Sequence, residues 1–342
     1  MTEDLQTRAA GSDELVAEVA ERYGLGACAT WVDLGGSWTT NLRLDLAERV
    51  LVARIHQGST PPERLAAVQA AREAVATAGI PTVTPIRVAD GSGFVALSSG
   101  RLVELEPFLT WDTRMNTSAL ITRGHGVLAA MHDALRSADL PSAAGTVRYA
   151  NYIDSMGALD ASRRGVARIR GWGDAKLSDF ADVALTHVES VAELESALRD
   201  RQLTQIVHGD FWDNNVLFRG TELVAVIDFD FMARRPRVDD LALTAYFLFL
   251  QPGRGLPTRD DAAMLRRFTD AYDAVAGVPL AIDERAALPL AIARQPAWSL
   301  GRWVVELDEG GARKHATDLM GELPVARAIL ADIDYWQHAL IG

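Results

Sequence analysis

His208, Asp210 and Asn215 stand in one short polar segment, HGDFWDNN, between the apolar runs LTQIV and VLF. A second acidic segment, VAVIDFDF at 224–231, follows closely and carries Asp228 and Asp230. Two carboxylates and an amide at this spacing suit transfer of a phosphoryl group from a nucleotide to an alcohol. One carboxylate accepts the proton of the attacking hydroxyl. An amide oxygen and a second carboxylate hold Mg²⁺ against the phosphates. A hairpin would present both metal ligands from adjacent strands without backbone strain.

An Asp followed five residues later by Asn, then an Asp followed by Phe, is the order of the kinase catalytic machinery. Each piece alone is common, but the ordered set on strand-flanked loops is specific. On HGDFWDNNVLF, VIDFDF, VDDLAL and LAAMHDAL the chain resembles the aminoglycoside phosphotransferase and choline kinase-like small-molecule kinases. The resemblance covers most of the chain. It implies a protein-kinase-like fold, Asp210 as general base, Asn215 and Asp228 on Mg²⁺, and ATP or GTP as donor. It also implies that Asp230 assists in orienting the metal or the substrate, and that His208 supports the loop. One departure is RRPRVDDLA, which stands where the family carries Gly-Asp-Pro. Phe211 and Trp212 either wall the acceptor site or pack the loop.

The N-terminal half is consistent with that resemblance. DLGGSWTTN looks like a phosphate-covering glycine loop, although a Gly-Gly turn taken alone is only a hairpin. Gly35 and Gly36 would let backbone amides approach oxygens, and Ser37 and Thr39 can donate hydrogen bonds. In VLVARIH, Arg54 occupies the place of the strand cation that reaches the phosphates. Its partner carboxylate is expected on the following helix, as Glu73 or else Glu63. LVELEPFL at 102–109 reads as the connector between lobes, where backbone groups of Glu104 and Glu106 would meet an adenine edge. Near the C-terminus, Trp298 and Trp303 read as packing residues, while Glu306, Asp308 and Glu309 are candidates to attract a cationic substrate. His132 and His187 read as satisfied or solvated.

These residues need a scaffold, and the patterning supplies one. SDELVAEVAERYG is helical, with a Ser cap and a Gly stop. TNLRLDL alternates and RVLVARI is β-branched, which predicts an antiparallel meander. PPERLAAVQAAREAVATAG is a helix with Leu65, Val68, Arg72 and Val75 on one stripe. IPTVTPIRV, FVALSS and RLVELEPFL read as further strands. After residue 110 helices dominate. The expectation is an α+β bilobal protein-kinase-like fold. Residues 1–105 would form an N-lobe of antiparallel sheet with helices that binds nucleotide. Residues 106–342 would form a larger, mainly helical C-lobe with the catalytic loop, metal site and acceptor pocket.

Composition bounds the rest. The 342 residues are 49% hydrophobic and 23% charged, with a net charge of −12, which argues against a nucleic-acid partner. An acidic surface suits a cationic small substrate and equally serves solubility. The single Cys28 excludes an intramolecular disulfide. No apolar run of membrane-spanning length and no basic-apolar leader are visible, so no membrane role and a cytoplasmic location are expected. GLGACA follows a helix rather than a strand and is rejected as a dinucleotide fingerprint. An Ala-Pro-Glu segment is lacking, which disfavours a protein kinase. The expected partner is a hydroxylated small molecule, an antibiotic such as an aminoglycoside first. A metabolic acceptor (homoserine, hydroxylysine, choline or a sugar) is the alternative, and a silent kinase-like binder the rival.

Overall fold

The computed structural model describes residues 8, 10–26, 28, 30–36, 38–147 and 154–342. Ser37 of the glycine loop lies outside the described residues. The chain begins with helix α1 (Asp13–Arg22), whose Leu15 N–H is capped by Ser12 Oγ. A five-stranded sheet follows in the order β1-β2-β3-β5-β4. Its strands are β1 (Thr30–Asp33), β2 (Thr40–Asp45), β3 (Val50–Ile55), β4 (Val95–Ala96) and β5 (Leu102–Pro107). All pairings are antiparallel. The alternation of β2 buries Leu42 and Leu44, and β3 adds Leu51, Ala53 and Ile55. With Val16 and Val19 of α1 they form the core of the sheet.

Helix α2 (Pro62–Thr77) lies between β3 and β4, with Pro at its first turn. Its apolar face does not join the sheet's core. Ala67, Val68, Ala71 and Val75 pack instead into the larger core, with Leu128, Phe211, Phe229 and Leu241. IPTVTPIRV departs from its expected strand. Pro81 and Pro85 remove two amide donors, and the segment forms a bridge between Thr82 and Val226, with Val226 N–H donating to Pro81 O, and one bond from Ile86 N–H to Leu105 O. That bridge ties the chain before β4 to the C-terminal half.

The C-terminal half is built from β6 (Thr113–Arg114), α3 (Ser118–Ser137), α4 (Ser155–Gly171), α5 (Ala175–Ser196), β7 (Thr204–Val207), β8 (Val216–Arg219), β9 (Glu222–Val226), β10 (Ala233–Pro236) and α6 (Val238–Phe249). Helices α7 (Arg259–Asp273), α8 (Ile282–Trp298), α9 (Val304–Glu306), α10 (Glu309–Leu330) and α11 (Ile333–Ile341) complete it. Two small sheets, β10-β7 and β6-β8-β9, hold the functional loops. This is a mixed architecture with an antiparallel N-terminal sheet and a helical C-terminal region.

Between α8 and α9 the backbone widens into a π-helical turn, Ser299–Trp303, just after Pro296. Its fit depends on two glycines. A Cβ on Gly301 would lie 2.7 Å from Ala161 Cβ, and one on Gly165 would lie 2.0 Å from Leu300 O. Helix α4 can approach the turn only because both are bare.

Candidate active site

The loop that carries His208, Asp210 and Asn215 connects β7 to β8. His208 is fully buried, and its ring makes two bonds: Nε2 to Ile227 O at 3.0 Å, and Nδ1 accepting from the Asp210 N–H at 3.1 Å. That arrangement is the neutral tautomer with the proton on Nε2. Burial drives the ring's pKa down to about 4, Asp240 only partly opposing it. His208 is therefore a neutral brace of the loop.

Asp240, in the first turn of α6, anchors the same loop. Oδ2 accepts the His208 N–H at 2.9 Å and Oδ1 the Gly209 N–H at 2.8 Å. His132 Nε2 at 3.1 Å and Arg235 Nη2 at 3.4 Å complete its surroundings. Burial opposes the charge, but these partners win and hold Asp240 at about 2. Gly209 (φ +86°) cannot be replaced without strain, since a Cβ there would lie 2.2 Å from Phe231 O. The loop is thus clamped between α6 and the segment after Asp228.

Asn215 folds back on the loop, its Nδ2 donating to Asp210 Oδ2 at 2.7 Å and to Asp210 O at 2.8 Å. Asp210 is pushed up to about 8, by burial first and then by the charge of Asp228, with the Asn215 bond opposing. Asp228 has φ +63°, a left-handed conformation rare outside glycine. Burial and Asp230 raise its pKa, and Arg54 pulls it back. Asp230 is held down by Arg54 and His56 against burial, and accepts from Thr39 Oγ1 at 2.9 Å. Arg54 Nη2 lies 3.0 Å from Asp228 and 2.9 Å from Asp230. The structure therefore brings Arg54, Thr39, Asp210, Asn215, Asp228 and Asp230 to one place.

This donor set fits a magnesium ion. With Asn215 Nδ2 committed to Asp210, its Oδ1 is the atom left for a cation. Asp228 keeps 36% of its side-chain surface open. Both are hard oxygen donors, and a dication would relieve the repulsion that raises Asp210. Among the described residues no three His, Cys, Asp or Glu side chains form a closed metal cage. Magnesium on nucleotide phosphates requires none, because it retains waters and phosphate oxygens.

The sheet side differs from expectation in two respects. Glu73 is partly exposed and pairs with Arg87, and Glu63 is exposed, so neither meets Arg54. Helical phase gave a face but not the neighbour. The second difference concerns Glu104 and Glu106. Register sets them opposite Arg54 and Val52, in step with the Phe108 N–H bonded to Val50 O. Ladder alternation then commits their backbone groups to β3, away from any adenine edge. Their carboxylates matter instead. Each lies 3.6 Å from Arg54 Nη1, and Arg72 of α2 bonds to both. The hint was Arg72 itself, a cation on the helix's apolar stripe. Gly35 and Gly36 form the β1–β2 turn with φ +84° and +115°, and Asn41 Nδ2 donates to Gly35 O at 3.1 Å.

Beside Gly209, a run of aromatic rings begins. Phe231, whose carbonyl rests on Gly209, lies 6.4 Å from the Trp38 ring of the glycine loop. Trp38 is 6.1 Å from Trp303, which also meets Trp298 at 5.9 Å and stacks on His315 at 5.5 Å. All five rings keep part of their surface open. Trp303 thus joins the glycine loop to the π-helical turn. The acids expected to attract a cation are each engaged locally: Glu306 with Arg302 at 2.5 Å, Asp308 capping α10 through Gly311 N–H at 2.7 Å, Glu309 with Arg313 at 2.8 Å. Phe211 is fully buried, whereas Trp212 stacks on Phe247 at 4.1 Å. His132 and His187 are buried structural residues, bonded to Asp240 and to Ala293 O. No helix among the described residues is long and apolar enough to cross a membrane.

Comparisons with known proteins agree with this geometry. The model of the phosphotransferase enzyme family matches residues 30–290. No curated protein matches the chain by sequence. Among solved structures, an amicoumacin kinase in complex with AMP-PNP and Ca²⁺ is similar at 12% identity and TM-score 0.66, covering 92% of this chain and 95% of that one. A microcompartment-associated aminopropanol kinase is similar at 14% identity and TM-score 0.64, covering 94% and 98%. A spectinomycin phosphotransferase in complex with ADP and its antibiotic is similar at 15% identity and TM-score 0.61, covering 96% and 99%. At these identities the structural likeness speaks to the fold.

Proposed function

The chain belongs to the phosphotransferase enzyme family and acts as a kinase on hydroxyl groups, and we propose that its donor is ATP, its metal Mg²⁺ and its acceptor an alcohol of a small molecule. The observation that carries this reading is the convergence of Asp210, Asn215 and Asp228 beneath Arg54. The sheet-rich lobe, residues 1–105, would hold the nucleotide, and residues 106–342 the acceptor. Arg54 and the amides of the Gly35–Gly36 turn would steady the phosphates, and Asn215 and Asp228 would hold the metal. Bound Mg²⁺ supplies charge neutralisation on the phosphate oxygens. Asp210, made more basic by burial and by its acidic neighbour, would accept the proton of the alcohol as the new P–O bond forms. The rest is positioning and charge compensation.

Neighbours acting on an antibiotic and on an amino alcohol support a hydroxylated small molecule without choosing between them. The acids spent on local partners weaken the case for a polycationic acceptor. The ring train from Phe231 to Trp303 favours one with an apolar face. The test is Asp210→Asn, with ATP consumption measured on an acceptor panel that includes antibiotics and amino alcohols. Turnover should fall by about 10²–10⁴-fold, while calorimetric affinity for Mg–AMP-PNP stays within about threefold. Undiminished turnover in that variant would refute the assignment.

A further inference from the structure

We propose that Glu104, on β5, is the positioning residue that braces Arg54 for the nucleotide phosphates, in place of a carboxylate from α2. The inference rests on the reading of Arg54 as the phosphate-side cation. It further implies that this ion pair is complete within one sheet and does not depend on a swing of α2.

The geometry of Arg54 separates two edges. Nη2 faces Asp228 and Asp230, at 3.0 and 2.9 Å, where metal and phosphates would arrive. Nη1 faces Glu104 and Glu106, both at 3.6 Å. An arriving phosphate competes for the first edge only, so the second must hold the guanidinium in place. Glu104 is directly opposite Arg54 in the β3–β5 register. It is fully buried and both of its oxygens are engaged. Oε2 accepts from Gln69 Nε2 at 2.8 Å and from Arg72 Nη2, and Oε1 lies 3.2 Å from His56 Nε2. A carboxylate with four partners in a dry site cannot turn away.

Helix α2 meanwhile has reversed polarity. Kinases of the general template bring a helix carboxylate to a strand cation, and helix position then controls activity. Here the helix presents Arg72 and Gln69 to strand carboxylates, and its own Glu63 and Glu73 face solvent. The helix is also fixed near its N-terminus. Arg64 donates to the carbonyls of Ala143 (2.9 Å), Ala144 (3.2 Å), Asp230 (2.8 Å) and Met232 (2.6 Å). Two of these belong to the segment carrying Asp230. Helix and metal-side backbone are therefore one assembly, with no separate on and off position for α2.

The experiment is calorimetric titration of Mg–AMP-PNP into the full chain and three variants. Glu104→Gln, nearly isosteric, should weaken the Kd at least tenfold. Glu73→Gln should stay within twofold. Removing Glu104 leaves Arg72 undercompensated, so a double variant, Glu104→Gln/Arg72→Met, separates folding from positioning. It should regain wild-type melting and still bind at least tenfold more weakly. Binding by Glu104→Gln within threefold of wild type would overturn the proposal. So would recovery of affinity in the double variant, which would limit Glu104 to neutralising Arg72, or an equal loss in Glu73→Gln. No binding by the unaltered chain would overturn the nucleotide reading itself as well.

Discussion

Asp240→Asn should show how much of the site depends on a residue that touches neither substrate nor metal. Asp240 is fully buried and receives four donors: the backbone N–H groups of His208 and Gly209, His132 Nε2 and Arg235 Nη2. An Asn keeps one acceptor edge and turns an NH₂ toward the other pair. Two of the four bonds are lost, and two donors are left dry. At about 1–3 kcal/mol for each unsatisfied buried donor, the cost is roughly 2–6 kcal/mol. The depression of Asp240 from 3.8 to about 2 gives an independent figure. At 1.36 kcal/mol per pKa unit it corresponds to about 2 kcal/mol, at the low end of that range. Urea unfolding should therefore show a loss of about 2–6 kcal/mol at unchanged m. Turnover should fall by about 10² as the loop bearing Asp210 shifts. Asp239 is an internal control, because burial raises its pKa and its Oδ2 has no partner among the described residues. Asp239→Asn should cost less than half as much. A stability change below about 0.5 kcal/mol in Asp240→Asn, with turnover intact, would show that the loop does not hang on this carboxylate.

Two further outcomes follow from the geometry. Burial holds His208 and His125 at about 4, against an ordinary 6.5. Depressed histidines stabilise the fold above the unfolded pKa and lose that contribution as pH falls from 6.5 through 4. Each is worth at most about 3 kcal/mol by the shift. Urea midpoints in an Asp210→Asn background, where the Asp210 carboxylate cannot titrate, should drop steadily across that window; a flat profile would mean the rings are hydrated. Trp303→Ala should raise the acceptor KM at least fivefold and move the ATP KM less than twofold. Equal shifts in both constants would place Trp303 on the glycine loop's behalf rather than the acceptor's.

What the sequence makes legible here is what local spacing can encode. Asp210 and Asn215 lie in the loop before β8 and Asp228 just after β9, at one end of the β8–β9 hairpin, so their meeting could be read without knowing the fold. Arg54 was legible for the same reason, as the cation of a β-branched strand. Its counter-charge was not, because a buried acid on a strand is favourable only if cations reach it from elsewhere. LVELEP alternates so that Glu104 and Glu106 share a face away from Val103 and Leu105. Nothing within those six residues says that β3 and α2 will bring Arg54 and Arg72 to that face. The mark was there in reverse, in Arg72 on the apolar stripe of α2, a position where a cation persists only beside an acid. The π-helical turn was still more remote. It rests on Gly165 and Gly301, which are far apart in sequence and meaningful only as a pair. Proximity set by neighbours in the chain could be read in advance. Charge pairing and close approach between distant elements are tertiary facts, and they determine where Arg54 points and where Trp303 stands.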